Sequence, residues 1–352
     1  MKEWIFKIIA VTIGIGAACL LLEIVTRIYY PQIKYDPPQF LYEVDPFRGY
    51  RHTPHFSGQW ATEFGTVSVE TDRFGFRNPD RDITEEALVI LGLGDSFTFA
   101  PELEQGETFL AKLETDLQAQ SPRPVHVLNA GVNGYGTIQE VQLLRDHVDR
   151  IKPQIVILAF YMNDIRDNRY EADRGPTRTV RDGWLVPASD PDRRPKPHTS
   201  HLHAFLTNRS EWFLNRYIKP RSHLRPVMKE TDEQAAHAMD LTHQALLNFA
   251  ETCREINAVP LVMTIPSGRQ SRPWLYDDFP IDQSELHIDK PQQLVENICQ
   301  QSGIRHINLL PVFRAKDRNF TGYFGHEGHW NDEGNQLASE TLTKIILPMI
   351  AR

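Results

Sequence analysis

Ala87-Leu88-Val89-Ile90-Leu91-Gly92-Leu93-Gly94-Asp95-Ser96-Phe97-Thr98 is the stretch that decides the fold. A short apolar run with β-branched residues reads as a strand buried on both faces. It runs into Gly94-Asp95, residues that let the backbone turn sharply, and the turn delivers a serine. Phe109, Leu110 and Leu113 then suggest a helix shortly beyond. In open α/β sheets ligands bind outside the carboxyl ends of the strands, so Ser96 falls where chemistry is usually done. An Asp-Ser turn alone also serves as a plain helix cap, and the weight of this one comes from three later stretches.

Residues 125–129 read as a second strand, followed by a turn with Gly131, Gly134 and Gly136 and by helical spacing of Ile138, Val141, Leu144 and Val148. Residues 155–160 read as a third strand, ending at Asn163-Asp164, where an asparagine brings an amide donor to the same crevice. His326-Glu327-Gly328-His329-Trp330-Asn331-Asp332-Glu333-Gly334 precedes a C-terminal helix. Asn331 is placed to cap that helix, and Leu337, Leu342, Ile345, Ile346 and Met349 supply its apolar face. Each feature alone has an ordinary reading: a tight turn, an Asn-Asp turn, a surface histidine. Together they make a chemical set. A serine needs a base to become a nucleophile, and histidine is the usual one. The tetrahedral intermediate needs donors aimed at its oxyanion, and the Ser96 N–H, the Gly134 N–H and the Asn163 side chain offer three.

With these residues assembled, residues 85–350 resemble the SGNH (GDSL-type) hydrolase superfamily. Its four blocks match Ser96, Gly134, Asn163 and His329 in order. Two positions depart from the family pattern. Tyr161 stands where a glycine usually precedes the asparagine by two residues, and His326 replaces the aspartate three before the histidine. Glu327 is therefore expected to orient His329 as the acid of a triad. A backbone carbonyl in that role, leaving a Ser-His dyad, is the alternative. His326, His329 and Asp332 do not make a zinc pattern, so no metal or other cofactor is expected.

The net charge of −8 and the lack of a basic run or nucleic-acid motif argue against a nucleic-acid partner. Cys19, Cys253 and Cys299 show no zinc spacing and read as free thiols. Residues 8–22 carry no charge, with Lys2 and Lys7 before them and Glu23 and Arg27 after. The run becomes long enough to span a bilayer if residues 4–30 take part, with Lys7 snorkelling. A cleaved signal peptide is the rival, because Gly16-Ala17-Ala18 resembles a cleavage site, but Leu20-Leu21-Leu22 would then remain at the mature end. An uncleaved anchor is the preferred reading. Flanking charge does not settle its orientation. Resemblance to an export signal places the catalytic part outside the cytoplasm, periplasmic or at the cell surface.

The chain divides into an N-terminal anchor or signal segment (1–30), a lead-in with short strands (31–84) and a catalytic domain (85–352) interrupted by an insertion at 165–230. Within the lead-in, Asp72-Arg73-Phe74-Gly75-Phe76-Arg77 looks like a segment of membrane-anchored SGNH relatives. The insertion is expected to hold an amphipathic helix near 202–218 that covers the crevice. Thr231 with Gln234 suggests a capping box opening the next helix. Further strands at 259–265 and 304–310 bring the count to five. Five strands alternating with helices imply a parallel five-stranded sheet in a three-layer α/β/α sandwich, flavodoxin-like. The expected function is a serine esterase acting on a glycan or lipid ester. An O-acyltransferase modifying a polysaccharide, with a membrane acyl-donor partner, and a non-catalytic glycan-binding or assembly protein of the same fold are the alternatives.

Overall fold

The structure, a computed structural model, describes residues 2–32, 37–192, 200–317, 319–325 and 328–350. Helix α1 (Lys2–Tyr29) is followed by two antiparallel hairpins, β1 (Tyr42–Asp45) with β2 (Gly49–His52) and β3 (Ser57–Thr62) with β4 (Gly65–Glu70). Next come β5 (Leu88–Gly94), α2 (Ser96–Phe99), α3 (Phe109–Gln118), β6 (Val125–Asn129), α4 (Thr137–Ile151), β7 (Ile155–Phe160) and α5 (Asp164–Arg174). An excursion contains the hairpin β8 (Arg178–Arg181) and β9 (Trp184–Pro187), then α6 (His201–Phe213), a π-helical turn (Leu214–Ile218) and α7 (Pro220–His223). The chain continues through α8 (Glu233–Glu255), β10 (Val259–Thr264), α9 (Gly268–Ser271), α10 (Lys290–Ser302), β11 (Arg305–Asn308), α11 (Leu310–Arg314) and α12 (Asp332–Ile350).

The central sheet has the order β11-β10-β7-β5-β6 and every pairing in it is parallel. After β6 the chain crosses back over β5 to build the rest of the sheet. The order therefore reverses beside β5 and β7, and the crevice at their carboxyl ends is the natural ligand site. All seven residues of β5 are buried, as its unbroken apolar run requires. Val89, Leu91 and Leu93 pack with α4, α8 and α10, while Leu88 and Ile90 pack with α3 and α12. That is the three-layer α/β/α sandwich. The lead-in joins the first of these cores through Leu41, Tyr42, Tyr50, Trp60, Val69 and Phe76.

Two local expectations change. The excursion starts later than the hydrophobic pattern indicates, because residues 164–174 form α5, packed against α8. Its inward face is polar and hydrogen-bonded: the Thr137 hydroxyl donates to Asp164 (3.3 Å), Asn168 Oδ1 accepts from the Ile138 N–H (3.0 Å), and Asn168 Nδ2 donates to Thr242 (3.1 Å). Thr231 does not cap α8. Asp232 does, accepting from the Ala235 N–H at 2.8 Å, while Thr231 accepts from the Lys290 ammonium at 2.7 Å. Helix α1 is long and apolar enough to cross a membrane.

Candidate active site

Strand β5 ends at Gly94, whose φ of +155° puts it in a region L-residues rarely adopt; a Cβ there would meet Thr98 Oγ1 at 2.1 Å. Asp95 then caps α2, its carboxylate accepting from the Phe97 N–H at 2.9 Å. Ser96 opens the helix, where a backbone N–H has no intrahelical acceptor. Its Oγ lies 2.7 Å from His329 Nε2. The other ring nitrogen, Nδ1, lies 2.7 Å from Glu102 Oε1. An ionised carboxylate only accepts, so Nδ1–H donates to Glu102 and Nε2 is left to accept the serine proton. Burial pushes the His329 pKa down, but the Glu102 hydrogen bond and charge, with the charge of Asp95, outweigh it and hold the imidazole above its ordinary 6.5. Aromatic rings steady the histidine loop: Phe97 meets His329 edge-on at 5.0 Å and Trp330 at 5.5 Å.

His326 and Glu327 lie outside the described residues, and the acceptor at Nδ1 is Glu102. An imidazole Nδ1 has a single N–H to give, and it is given to the loop that follows α2. That loop turns at Ala100, in the left-handed conformation with φ 57°. Such a conformation costs a non-glycine residue roughly 1–2 kcal/mol and needs support from its surroundings. Arg77 supplies the support. Its buried guanidinium donates to the carbonyls of Phe99, Ala100 and Leu103, on both sides of Glu102. Arg77 is itself set by a turn in which the Asp72 carboxylate accepts from the N–H groups of Phe74 (2.8 Å) and Phe76 (2.9 Å). The lead-in segment 72–77 thus positions the acid.

The lead-in also grips the glycine loop. The Tyr50 hydroxyl donates to the Asn133 carbonyl at 2.7 Å, and the Tyr135 hydroxyl donates to the Tyr50 carbonyl. Gly134 between them has φ +79°, and a Cβ there would come within 3.1 Å of the Tyr50 hydroxyl. Ser96, Gly134 and Asn163 follow β5, β6 and β7, three adjacent strands. The Asn163 amide donates to Asp95 and to Asp167, each at 3.2 Å, so it is joined to the turn that carries Ser96. Behind the site, Asp95, Glu140 and Asp164 are buried acids. Burial, and secondly the charge of Asp95, pushes the Glu140 carboxyl well above the ordinary range; burial and neighbouring acids do the same to Asp164. No cluster able to hold a metal occurs among the described residues.

A cavity of about 130 Å³ adjoins the site. Tyr161 and Met162 after β7, Ser267 and Arg269 after β10, and Leu224 and Val227 from the excursion line it. The Tyr161 ring packs 4.4 Å from that of Phe97, the residue after Ser96. The tyrosine that departs from the family's glycine is therefore a wall of this cavity. Sequence reasoning did not find Glu102. It is one of three acids in a loop without periodicity, and Glu104 and Glu107 are spent on a capping box.

Comparison with known proteins follows this geometry. No curated protein sequence matches the chain. Solved structures with a similar fold include "TesA" (15% identity, TM-score 0.44, covering 74% of this chain and 99% of that one). An acetyl xylan esterase, AlAXEase, has 14% identity, TM-score 0.44 and coverage of 74% and 100%. LAE5, an alpha/beta hydrolase from the metagenome of Lake Arreo, Spain, has 13% identity, TM-score 0.45 and coverage of 74% and 96%. The model of the GDSL-like lipase/acylhydrolase family matches residues 93–337, well over half the chain. The chain accordingly belongs to the GDSL-like lipase/acylhydrolase family and is a serine hydrolase of the SGNH type.

Proposed function

We propose that this hydrolase is an esterase held at the membrane by α1, acting outside the cytoplasm on an ester-bearing glycan or lipid. The observation that carries the reading is the continuous relay Ser96–His329–Glu102, with both links at 2.7 Å. Ser96 Oγ attacks the ester carbonyl and its proton passes to His329 Nε2. Glu102 holds the ring in the required tautomer and balances the imidazolium charge. The Ser96 and Gly134 N–H groups stabilise the oxyanion, joined by Asn163 once its amide turns from Asp167, which keeps Arg166 as a partner at 2.8 Å. His329 then protonates the leaving alcohol. Water attacks the acyl-enzyme, gives its proton to His329, and Ser96 is regenerated. A relay already hydrogen-bonded at both links favours catalysis over a purely binding role.

A panel of acetyl and longer esters, with and without saccharide acceptors, tests the proposal. Released acid, labelling of Ser96 by a fluorophosphonate, and loss of both in Ser96→Ala are expected. Ester turnover that survives Ser96→Ala overturns the assignment. Acylated saccharide in place of free acid would make the enzyme a transferase.

A further inference from the structure

We infer that the surface formed by residues 205–218 docks on the lipid bilayer beside α1 and sets the cavity wall at the membrane; this rests on α1 being inserted as proposed above. Helix α6 is fastened to the end of α1. The Glu23 carboxylate accepts from the Ser200 hydroxyl (2.7 Å) and from the N–H groups of His201 (2.9 Å) and Leu202 (2.8 Å), capping the start of α6. The Gln32 N–H donates to His201 at 2.9 Å, and the rings of Tyr30 and Phe205 lie 5.9 Å apart. Glu23 is eight residues beyond the centre of the charge-free run 8–22. At helical rise that is about 12 Å, close to the edge of a hydrocarbon layer roughly 30 Å thick. Helix α6 therefore begins at the boundary between acyl chains and headgroups.

Its outward side fits that boundary. Leu206, Trp212, Phe213, Leu214, Tyr217 and Ile218 expose between 44% and 59% of their surface. Single exposed apolar residues are ordinary, but six within one short segment beside a membrane-length helix form a patch. Leu206, Phe213 and Tyr217, spaced by seven and four residues, fall on one helical stripe. Tryptophan and tyrosine favour the headgroup level. Residues 201–221 hold four cations, Arg209, Arg216, Lys219 and Arg221, against one acid, Glu211, in a chain of net charge −8. Arg216 and Arg221 tie the segment to the body through Asp278 (2.7 Å) and Glu285 (2.5 Å), while Arg209 and Lys219 are exposed towards anionic headgroups. The segment continues directly to Leu224 and Val227 of the cavity wall. Arg216 and Arg269 also share the Phe279 ring, at 5.5 and 4.5 Å. An ester carried in the bilayer would meet the cavity at its own depth.

The test uses the full chain with Cys19→Ala and one added cysteine, Leu206→Cys or Phe213→Cys, carrying a fluorophore. Cys253 and Cys299 are buried and stay unlabelled. The control is Arg123→Cys, exposed just before β6 at the amino end of the sheet, away from the cavity. In vesicles of phosphatidylethanolamine and phosphatidylglycerol, labels at 206 and 213 should be quenched by brominated acyl chains roughly twofold or more over the control, and shielded from iodide. Labels as open to iodide as the control, on protein that floats with the vesicles, overturn the docking while the anchor stands. Shielding without lipid quenching identifies a second copy of the chain as the occupant and overturns it too. Protein that does not float refutes anchor and docking together. Leu206→Asp with Phe213→Asp should leave turnover of a soluble acetyl ester unchanged and lower turnover of a vesicle-borne ester roughly tenfold, as a lost surface contact would. Equal turnover of the vesicle-borne ester overturns the docking. Absence of turnover by every form breaks the Ser96 reading instead, and the quenching still decides the docking.

Discussion

On the β5 side of the crevice, the backbone carrying Ser96 and Glu102 is braced by Arg77 and the neighbouring Gly134 loop by Tyr50, with the rings of Phe99 and Trp60 buried beside them; on the β10 side, Leu224 and Val227 close the cavity at the end of a segment whose Trp212, Phe213 and Tyr217 face outward. The first wall is held by hydrogen bonds between buried groups. Such bonds tolerate little displacement, because each broken one leaves a desolvated donor or acceptor. The second is held mainly by apolar packing and by surface ion pairs such as Arg221–Glu285, which are individually weak. Ser96 and Glu102 thus sit on the wall braced by buried hydrogen bonds, and the cavity borders the one held by apolar packing.

Glu102→Gln puts the rigid wall to the hardest test. Folding should be unchanged, while kcat falls on the order of 10² to 10⁴, because the imidazolium loses its counter-charge. The pH profile should move as well. Glu102 raises the His329 pKa, and the base works only when neutral, so activity rises as pH passes that pKa. Removing the carboxylate lowers the pKa and shifts the acidic limb to lower pH. An unmoved limb with a normal rate would return the orienting role to Glu327 or to a backbone group.

Arg77→Met tests whether the lead-in sustains that wall. Three carbonyls flanking Glu102 would lose their donor, at a cost of about 3–5 kcal/mol in stability by chemical denaturation. Turnover should fall even at temperatures where the variant stays folded. Full activity in the folded variant would show that Glu102 is positioned without it.

Met162→Ala probes the adaptable wall. Enlarging the 130 Å³ cavity should raise turnover of longer acyl esters over acetyl by about tenfold, with the acetyl rate nearly constant. A uniform loss on all esters would mean that the cavity does not select the acyl group.

The smallest effect is expected behind the site, at Glu140. Its carboxyl is raised well above 4.5 by burial, so the folded state binds the proton more tightly than the unfolded chain does. Its contribution is complete below about 4.5 and is lost as pH rises towards the folded value. Glu140→Gln should match the parent near pH 4 and exceed it at pH 8 by about 1 kcal/mol or more, flattening the stability profile. A profile unchanged by the substitution would place the titration on Asp95 or Asp164.

The central strands β5 and β7 were legible because each is a contiguous apolar run buried along its whole length, so burial is written into consecutive residues. The turns were legible for a related reason, since Gly94-Asp95-Ser96 and Gly134 carry their conformational requirement locally. Helix α5 was not, because Asp164 and Asn168 face inward on hydrogen bonds and leave no apolar stripe to read.

By itself, the sequence determined the alternation of strands and helices, the serine at a strand-ending turn, the histidine before the last helix and a membrane-length apolar segment. Each is a property of neighbours along the chain, where backbone preference and hydrophobic period act directly. Only the tertiary structure decided that Glu102 meets His329, that Arg77 and Tyr50 brace the two loops, and that Tyr161 walls a cavity with Leu224. Those choices depend on which distant segments share a few ångströms of space. A hydrogen bond between residues 227 positions apart, as in His329–Glu102, leaves no mark on the local pattern of either.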